Sequence, residues 1–356
     1  MAQSTITQSK DAAAKAAQPG RMETLDGMRG IAAFAVILFH LTSLGLGTWN
    51  PRFAYLAVDI FFVLSGFVLA YAYDRRFAAG LTAWKFMLQR TRRLFPLYCL
   101  GLIGSAFVIP LSQHTGSGLR WLATFALHIP LLPGVIPPDL FPVNVPAWSL
   151  FFEFWVANLA FALCWRWLHG RRLFVLLGLS LAALILGCLR YHTVSLGGNY
   201  RTFVFGFPRT LFSFFAGVWI ARLHQLQKPK LYLPRAVVIA VMLAALCAYS
   251  QAGVKLIQLL LVILVFPALV YFGAAAGKTH SPFMEWLGDA SYAAYAIHWP
   301  ILVALSALCF AHHWRVGLWQ ELAIAVLIMI LAYGVHRFYD VPVRRWIGRK
   351  WPVTSR

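Results

Sequence analysis

Four ionisable side chains lie inside long apolar runs of this chain: His40, Asp59, Glu153 and His298. A charge at the centre of a hydrocarbon layer is costly, so such residues usually face a bundle interior and carry function. A histidine within reach of a hydroxyl is a general base at neutral pH, and a neighbouring carboxylate fixes its tautomer and stabilises its protonated form. The set suits proton abstraction from a poor nucleophile such as an alcohol. Arg209, the Ser65 and Ser149 hydroxyls and the Trp148 indole are further donors that a developing oxyanion would use.

The elements that must position these groups are membrane spans. Of 356 residues, 60% are hydrophobic and 12% charged, against about 25% charged in a soluble domain. Apolar runs of eighteen or more residues recur from Ile31 to Tyr333, and each can cross a hydrocarbon core about 30 Å thick. The expected fold is all-α: a polytopic integral membrane helical bundle of about ten transmembrane helices. The expected spans are 29–46, 54–73, 94–111, 146–166, 172–189, 206–223, 235–252, 256–276, 288–309 and 320–338. The net charge of +20 is scattered through short inter-span loops rather than gathered on one soluble domain, which argues for topology and against nucleic acid. Most of the 31 Lys and Arg share a side with the N-terminus, so both termini are expected to be cytoplasmic.

At a rise of about 1.5 Å per residue, His40 lies roughly 9 Å from the outer end of its span, and Asp59 and Glu153 fall near that level. Arg209 opens the sixth span in the same layer. His298 lies nearer mid-membrane, lining the route below. The inner loop Asp74–Arg93 carries Arg75, Arg76, Lys85, Arg90, Arg92 and Arg93. The positive-inside rule alone accounts for cations in that loop, but five of the six are Arg, and guanidinium groups suit bidentate phosphate contacts, so an anionic ligand such as a nucleotide phosphate is a second reading. The same buried ionisable set would serve a proton-coupled transporter or flippase as a relay. It would also serve helix–helix hydrogen bonding. Absent repeat symmetry and the Arg-rich inner loop weigh against transport.

Residues 1–21, rich in Ala, Gln, Ser and Lys, are expected to form a disordered cytoplasmic tail without a signal-peptide apolar core. Residues 22–346 are expected to form one membrane domain, and 347–356 a cytoplasmic C-terminal tail. The five cysteines lie in or beside spans without a Cys-x-x-Cys pair, so neither disulfide, zinc nor any other metal is expected. The largest outer loop, Ser112–Val145, is placed to cap an outward vestibule.

Several stretches resemble the acyltransferase 3 family in order along about Leu25 to Trp346. Leu25-Asp26-Gly27-Met28-Arg29-Gly30-Ile31-Ala32-Ala33, leading to His40, is similar to its Arg, ten residues, His signature. Asp59-Ile60-Phe61-Phe62-Val63-Leu64-Ser65-Gly66-Phe67 resembles its second-span motif, and Arg90-Thr91-Arg92-Arg93 its Arg-x-x-Arg loop. Pro146-Ala147-Trp148-Ser149-Leu150-Phe151-Phe152-Glu153 resembles its Trp-Ser-Leu motif with a following Glu. Gly288-Asp289-Ala290-Ser291-Tyr292, followed by Tyr295, His298 and Pro300, resembles its late pattern.

The resemblance implies a multi-pass O-acyltransferase of the bacterial inner membrane. It implies acyl-CoA as co-substrate, with acetyl-CoA favoured, and no permanently bound cofactor. A sugar hydroxyl of a surface or secreted polysaccharide, or of a lipid-linked glycan, is the implied acceptor. His40 is then the base, with Asp59 or Glu153 orienting it. Arg90 and Arg93 hold the CoA phosphates, and Arg29, about 16 Å below His40 on the same helix, marks the lower end of the path. Phe154, Trp155, Val156 and Ala157 follow Glu153 where many members carry a second acid and a Phe-Tyr pair. The membrane domain is expected to finish the transfer itself, with no extra-cytoplasmic hydrolase-like domain.

Overall fold

The computed structural model describes residues 21–49, 51, 53–112, 118–134, 139–227, 231–247, 254–276 and 280–352. It is 80% helical, and among the described residues there is no strand, only a bridge between Asp139 and Asn199. Nine helices among the described residues are long and apolar enough to cross a membrane. They are α1 (Glu23–Ser43), α2 (Ala54–Ala78), α3 (Ala83–Ser112), α5 (Ala147–Cys164), α6 (Arg171–Tyr191), α7 (Phe203–Leu226), α9 (Leu256–Ala275), α10 (Pro282–Ala311) and α11 (Leu318–Lys350). Two shorter helices, α4 (Gly118–His128) and α8 (Arg235–Cys247), complete the set. The seventh expected span, 235–252, corresponds to α8, whose 13 residues are described as helix; the stretch after it, 248–253, and the N-terminal residues 1–20 lie outside the described residues.

Two helices start or end far from the hydropathy boundaries. α3 begins at Ala83, not near 94, so Arg90, Arg92 and Arg93 are on a helix rather than in a loop. No Gly or Pro interrupts 83–93, and Lys, Gln, Arg and Leu are good helix formers. Hydropathy ends a span where charges begin, but a long basic side chain can keep its stem in the apolar layer while its head reaches the polar surface. α11 likewise continues past 338 to Lys350 through a π turn at His336–Asp340, and its last ten residues contain no buried side chain.

Helix packing decides which side chains meet. α1 lies along α10, α2 along α7, and α3 also packs on α10. Lipid tails are as apolar as Leu, so helices associate through close van der Waals fit rather than a hydrophobic drive. The α2–α7 contact is of this kind: a Cβ on Gly66 would collide with the Phe214 carbonyl, and one on Gly217 with the Val63 carbonyl. The crossing brings Asp59 of α2 against Arg209 and Ser213 of α7.

This crossing yields a direct test. Gly66→Ala must separate two backbones, and the overpacking is expected to lower stability by about 1–3 kcal/mol. Gly178→Ala, where an added Cβ meets open space, is expected to leave the thermal midpoint of the detergent-solubilised protein unchanged. Equal midpoints for the two variants would show that the helices are not held this closely.

Candidate active site

At the α2–α7 crossing the Arg209 guanidinium donates to Asp59 through Nη2 at 2.6 Å and through Nε at 3.0 and 3.3 Å. Arg209 is 1% and Asp59 0% exposed. Ser213 Oγ donates to the same carboxylate at 3.3 Å, Arg209 Nη1 donates to the Leu196 carbonyl at 3.0 Å, and the Trp148 ring covers the guanidinium at 5.5 Å. Two charges with nearly all their hydrogen-bonding capacity filled by each other form a closed unit. Asp59 therefore does not orient His40, and Arg209 is not a free oxyanion donor. Equal depth along separate helices does not imply contact: the crossing turns these two residues toward one another.

Glu153 lies in a π turn, Phe152–Asn158, within α5. Such turns widen the helix by one residue and recur at functional sites. Its carboxylate accepts from Ser65 Oγ at 2.7 Å and from Arg90 Nη2 at 3.1 Å. Arg90 is thus held inward by Glu153, and Ser65 donates to a carboxylate rather than toward an oxyanion. Nearby, Ser149 Oγ and Tyr295 Oη are 2.5 Å apart, and Tyr295 Oη donates to the Pro146 carbonyl at 2.7 Å.

Glu153, Ser65, Ser149 and Tyr295 line one cavity of about 350 Å³. Its other wall carries Arg29, Arg76, Arg90, Arg93 and Arg344, with Asp289, Asp340, Tyr73 and Tyr292. Most of the cations are already paired. Arg29 donates to Asp26 at 2.8 Å and Ser291 at 2.9 Å, and Arg344 pairs with Asp340 at 2.7 Å. Arg93 and Arg76 are exposed and have no carboxylate partner among the described residues, Arg76 lying over the Tyr73 ring at 4.6 Å. Of the expected phosphate pair, Arg90 is engaged by Glu153, while Arg93 is exposed on the cavity wall together with Arg76. The signal for Arg76 lay in its spacing three residues after Tyr73 on α2, on the face that Val68, Leu69 and Ala72 give to the cavity.

His40 is in the last turn of α1. Its ring lies 5.3 Å from that of His298, 5.3 Å from Trp299 and 5.2 Å from Phe39, and Ser43 Oγ is 3.4 Å from its Nδ1. The carboxylate expected at its side is replaced by a second imidazole. His298 is fully buried, and Tyr295, one turn earlier on α10, places its ring 5.8 Å away. Tyr292, Tyr295 and His298 recur every three residues, a spacing that puts them along one helix face. Rings therefore connect the cavity to His40 in sequence: Tyr295, His298, His40.

At the other end of α1 from Arg29, the segment following Ser43 is tied down by a carboxylate that hydropathy hides. Glu321 of α11 is 0% exposed and accepts from the Thr48 backbone N–H, from Thr48 Oγ1 at 2.8 Å and from the Trp49 N–H at 3.2 Å. The segment after α3 includes α4. His128 is buried, its ring 5.0 Å from Phe141, its Nδ1 donating to the Leu132 carbonyl at 3.0 Å, while Tyr98 Oη donates to the His128 carbonyl. Burial pushes the His128 imidazole down to about 4, partly offset by the Leu132 bond. Among the described residues no cluster of His, Cys, Asp and Glu could hold a metal ion.

A family model described as an acyltransferase domain matches residues 22–337. The chain is 26% identical to the acyltransferase MdmB of Streptomyces mycarofaciens, across 94% of this chain and 95% of that protein. It is 24% identical to the peptidoglycan O-acetyltransferase OatA of Listeria monocytogenes over 90% of its own length and 56% of OatA. It is 36% identical to protein 2 of the picA locus of Rhizobium radiobacter, over 42% of this chain and 83% of that protein. No solved structure matches.

The α4 segment is expected to loosen in acid. The folded state keeps His128 neutral down to about 4, whereas the released chain binds a proton below about 6.5. The stabilisation is complete above 6.5 and is lost as pH falls toward 4. Limited proteolysis across 118–134 should accelerate over that window in the native protein and not in His128→Phe; identical acid sensitivity in both would remove His128 as the cause.

Proposed function

We propose that this chain, which belongs to the acyltransferase 3 family, transfers an acetyl group from acetyl-CoA to a sugar hydroxyl of a surface or secreted polysaccharide or lipid-linked glycan. The observation that carries the reading is the run of rings from an arginine-walled cavity to His40. A two-sided site of this kind suits a donor supplied from the cytoplasm and an acceptor on the far side of a bacterial inner membrane. The O-acetyl and glycan parts of the reading draw support from the relative named as a peptidoglycan O-acetyltransferase.

In this reading the CoA phosphates lie against Arg93 and Arg76, the two cavity cations without a carboxylate partner among the described residues. Arg29, anchored by Asp26 and Ser291, shapes the lower wall. The pantetheine arm runs past Glu153 toward Ser149 and Tyr295; Tyr295 keeps its bond to the Pro146 carbonyl, and the Ser149 hydroxyl turns from Tyr295 Oη to donate to the carbonyl oxygen arriving at that end of the cavity. His40 takes the proton from the acceptor hydroxyl as that oxygen attacks the thioester carbon. General-base help of this kind contributes about 10² to 10⁴-fold, and donors aimed at the oxyanion supply comparable amounts.

Two outcomes check the reading. A strain lacking the chain, complemented with wild type or with His40→Ala at equal membrane levels, should carry glycan O-acetyl groups only with wild type. Equal O-acetylation in both strains would remove His40 from the chemistry, and no change on deletion would remove the glycan acceptor. Separately, Arg76→Gln with Arg93→Gln should raise KM for acetyl-CoA by about 10 to 100-fold, the loss of one or two charge-assisted contacts, with kcat largely kept. An unchanged KM would place the phosphates elsewhere.

A further inference from the structure

The reaction proposed above moves a proton as well as an acyl group. The acceptor O–H bond breaks, an O–C bond forms, the C–S bond breaks with its electron pair going to sulfur, and the thiolate must then gain a proton. The oxygen arrives from the far side and the sulfur withdraws toward the arginine-walled cavity. A base that faces the acceptor is on the wrong side of the carbonyl to meet the departing sulfur.

His298 is built for the second role. Its Nδ1 lies 3.0 Å from the Ala294 carbonyl, an atom that can only accept, so Nδ1 carries a hydrogen and Nε2 of the neutral ring presents a lone pair. That Nε2 is buried and has no hydrogen-bond partner. Buried polar atoms nearly always find one, and an exception needs a reason. A histidine kept only to join helices would use this nitrogen to do so. Here the ring instead touches His40 on one side and Tyr295, which lines the cavity, on the other.

We infer that His298 is the donor-side catalytic residue: its Nε2 accepts the proton that His40 has taken from the acceptor hydroxyl and delivers it to the departing thiolate. The inference rests on the acyl-transfer reading. The proton passes from oxygen to His40, from the His40 imidazolium to His298 Nε2, and from Nε2 to sulfur, so both histidines end neutral and no further reactant is needed. The Ala294 carbonyl takes the place that a carboxylate occupies in a Ser-His-Asp arrangement, fixing the tautomer.

Asparagine isolates the proposal, because its amide nitrogen occupies the place of Nδ1 and can keep the bond to Ala294 while nothing remains at Nε2. Purified wild type, His298→Asn and His298→Ala would be compared in nanodiscs for acetyl transfer to an isolated glycan acceptor, with and without added imidazole. His298→Asn should fold with a wild-type thermal midpoint and keep its KM for acetyl-CoA, yet lose about 10² to 10⁴-fold in kcat. His298→Ala should regain turnover with imidazole, which fits the space the ring vacates and supplies the missing nitrogen, while His298→Asn, whose space is filled, should not. Near-wild-type turnover by His298→Asn would overturn the inference and leave the transfer reading standing. So would loss of both variants through KM alone, without imidazole rescue, since that is a packing defect. Wild type that transfers no acetyl would overturn the transfer reading and this inference with it.

Discussion

Asp59 and Arg209 hold each other at 2.6 Å where neither is exposed, and the bundle is arranged around that necessity. Away from water a lone charge is paid for in several kcal/mol, and breaking a buried pair by removing one partner typically costs about 3–5 kcal/mol. The pair forms only if α2 and α7 approach backbone to backbone, which Gly66 and Gly217 permit. Once it forms, the rotation of α2 about its axis is fixed, and with it the direction of Ser65. That hydroxyl donates to Glu153, which in turn holds Arg90. A constraint that looks like ordinary stability thus sets the azimuth of one wall of the cavity.

The same economy appears across the site. Each carboxylate that lines the cavity is matched to a guanidinium: Glu153 to Arg90, Asp289 to Arg21, Asp340 to Arg344. Arg29 is similarly matched to Asp26. Two exposed guanidiniums on the cavity wall, on Arg76 and Arg93, have no carboxylate partner among the described residues; of the three buried imidazole nitrogens without a hydrogen-bond partner, on His128, His224 and His298, that of His298 lies between Tyr295 of the cavity and His40. On the proposed function, the two guanidiniums receive the anion and the His298 nitrogen the proton.

The architecture was legible in the sequence because hydropathy reports burial in lipid directly, and the ionisable residues inside apolar runs were found for the same reason. Family resemblance placed His40, Glu153 and His298 together in one membrane domain. What hydropathy could not report is azimuth. Asp59, Glu153 and His40 were expected at one depth, yet Glu153 meets Ser65, six residues and about 9 Å along α2 from Asp59, and a helix of 3.6 residues per turn points its side chains in different directions, so interhelical packing decides who meets. Arg76 was passed over because its charge was counted with the loop, and Glu321 because a single acid at a span end reads as a boundary. Arg90 and Arg93 were read as one pair, yet the structure turns one toward Glu153 and leaves the other exposed.

Two of the π turns, at Phe152–Asn158 and His336–Asp340, carry residues that line the cavity. A π turn is an α-helix with one residue inserted, and each α-helical residue advances the direction of a side chain by about 100°. In α11 the insertion separates the upper turns, which bury Ala325, Ile328, Met329 and Ala332, from the lower turns, which bring Asp340 and Arg344 to the cavity. A chain one residue shorter there would have the same hydropathy profile and the same number of spans. It would nevertheless swing Arg344 away from the cavity and bring a different residue in. Length in these two stretches is therefore inherited information about the site, so a gap in an alignment at 152–158 or 336–340 deserves the weight usually given to a change of a catalytic residue.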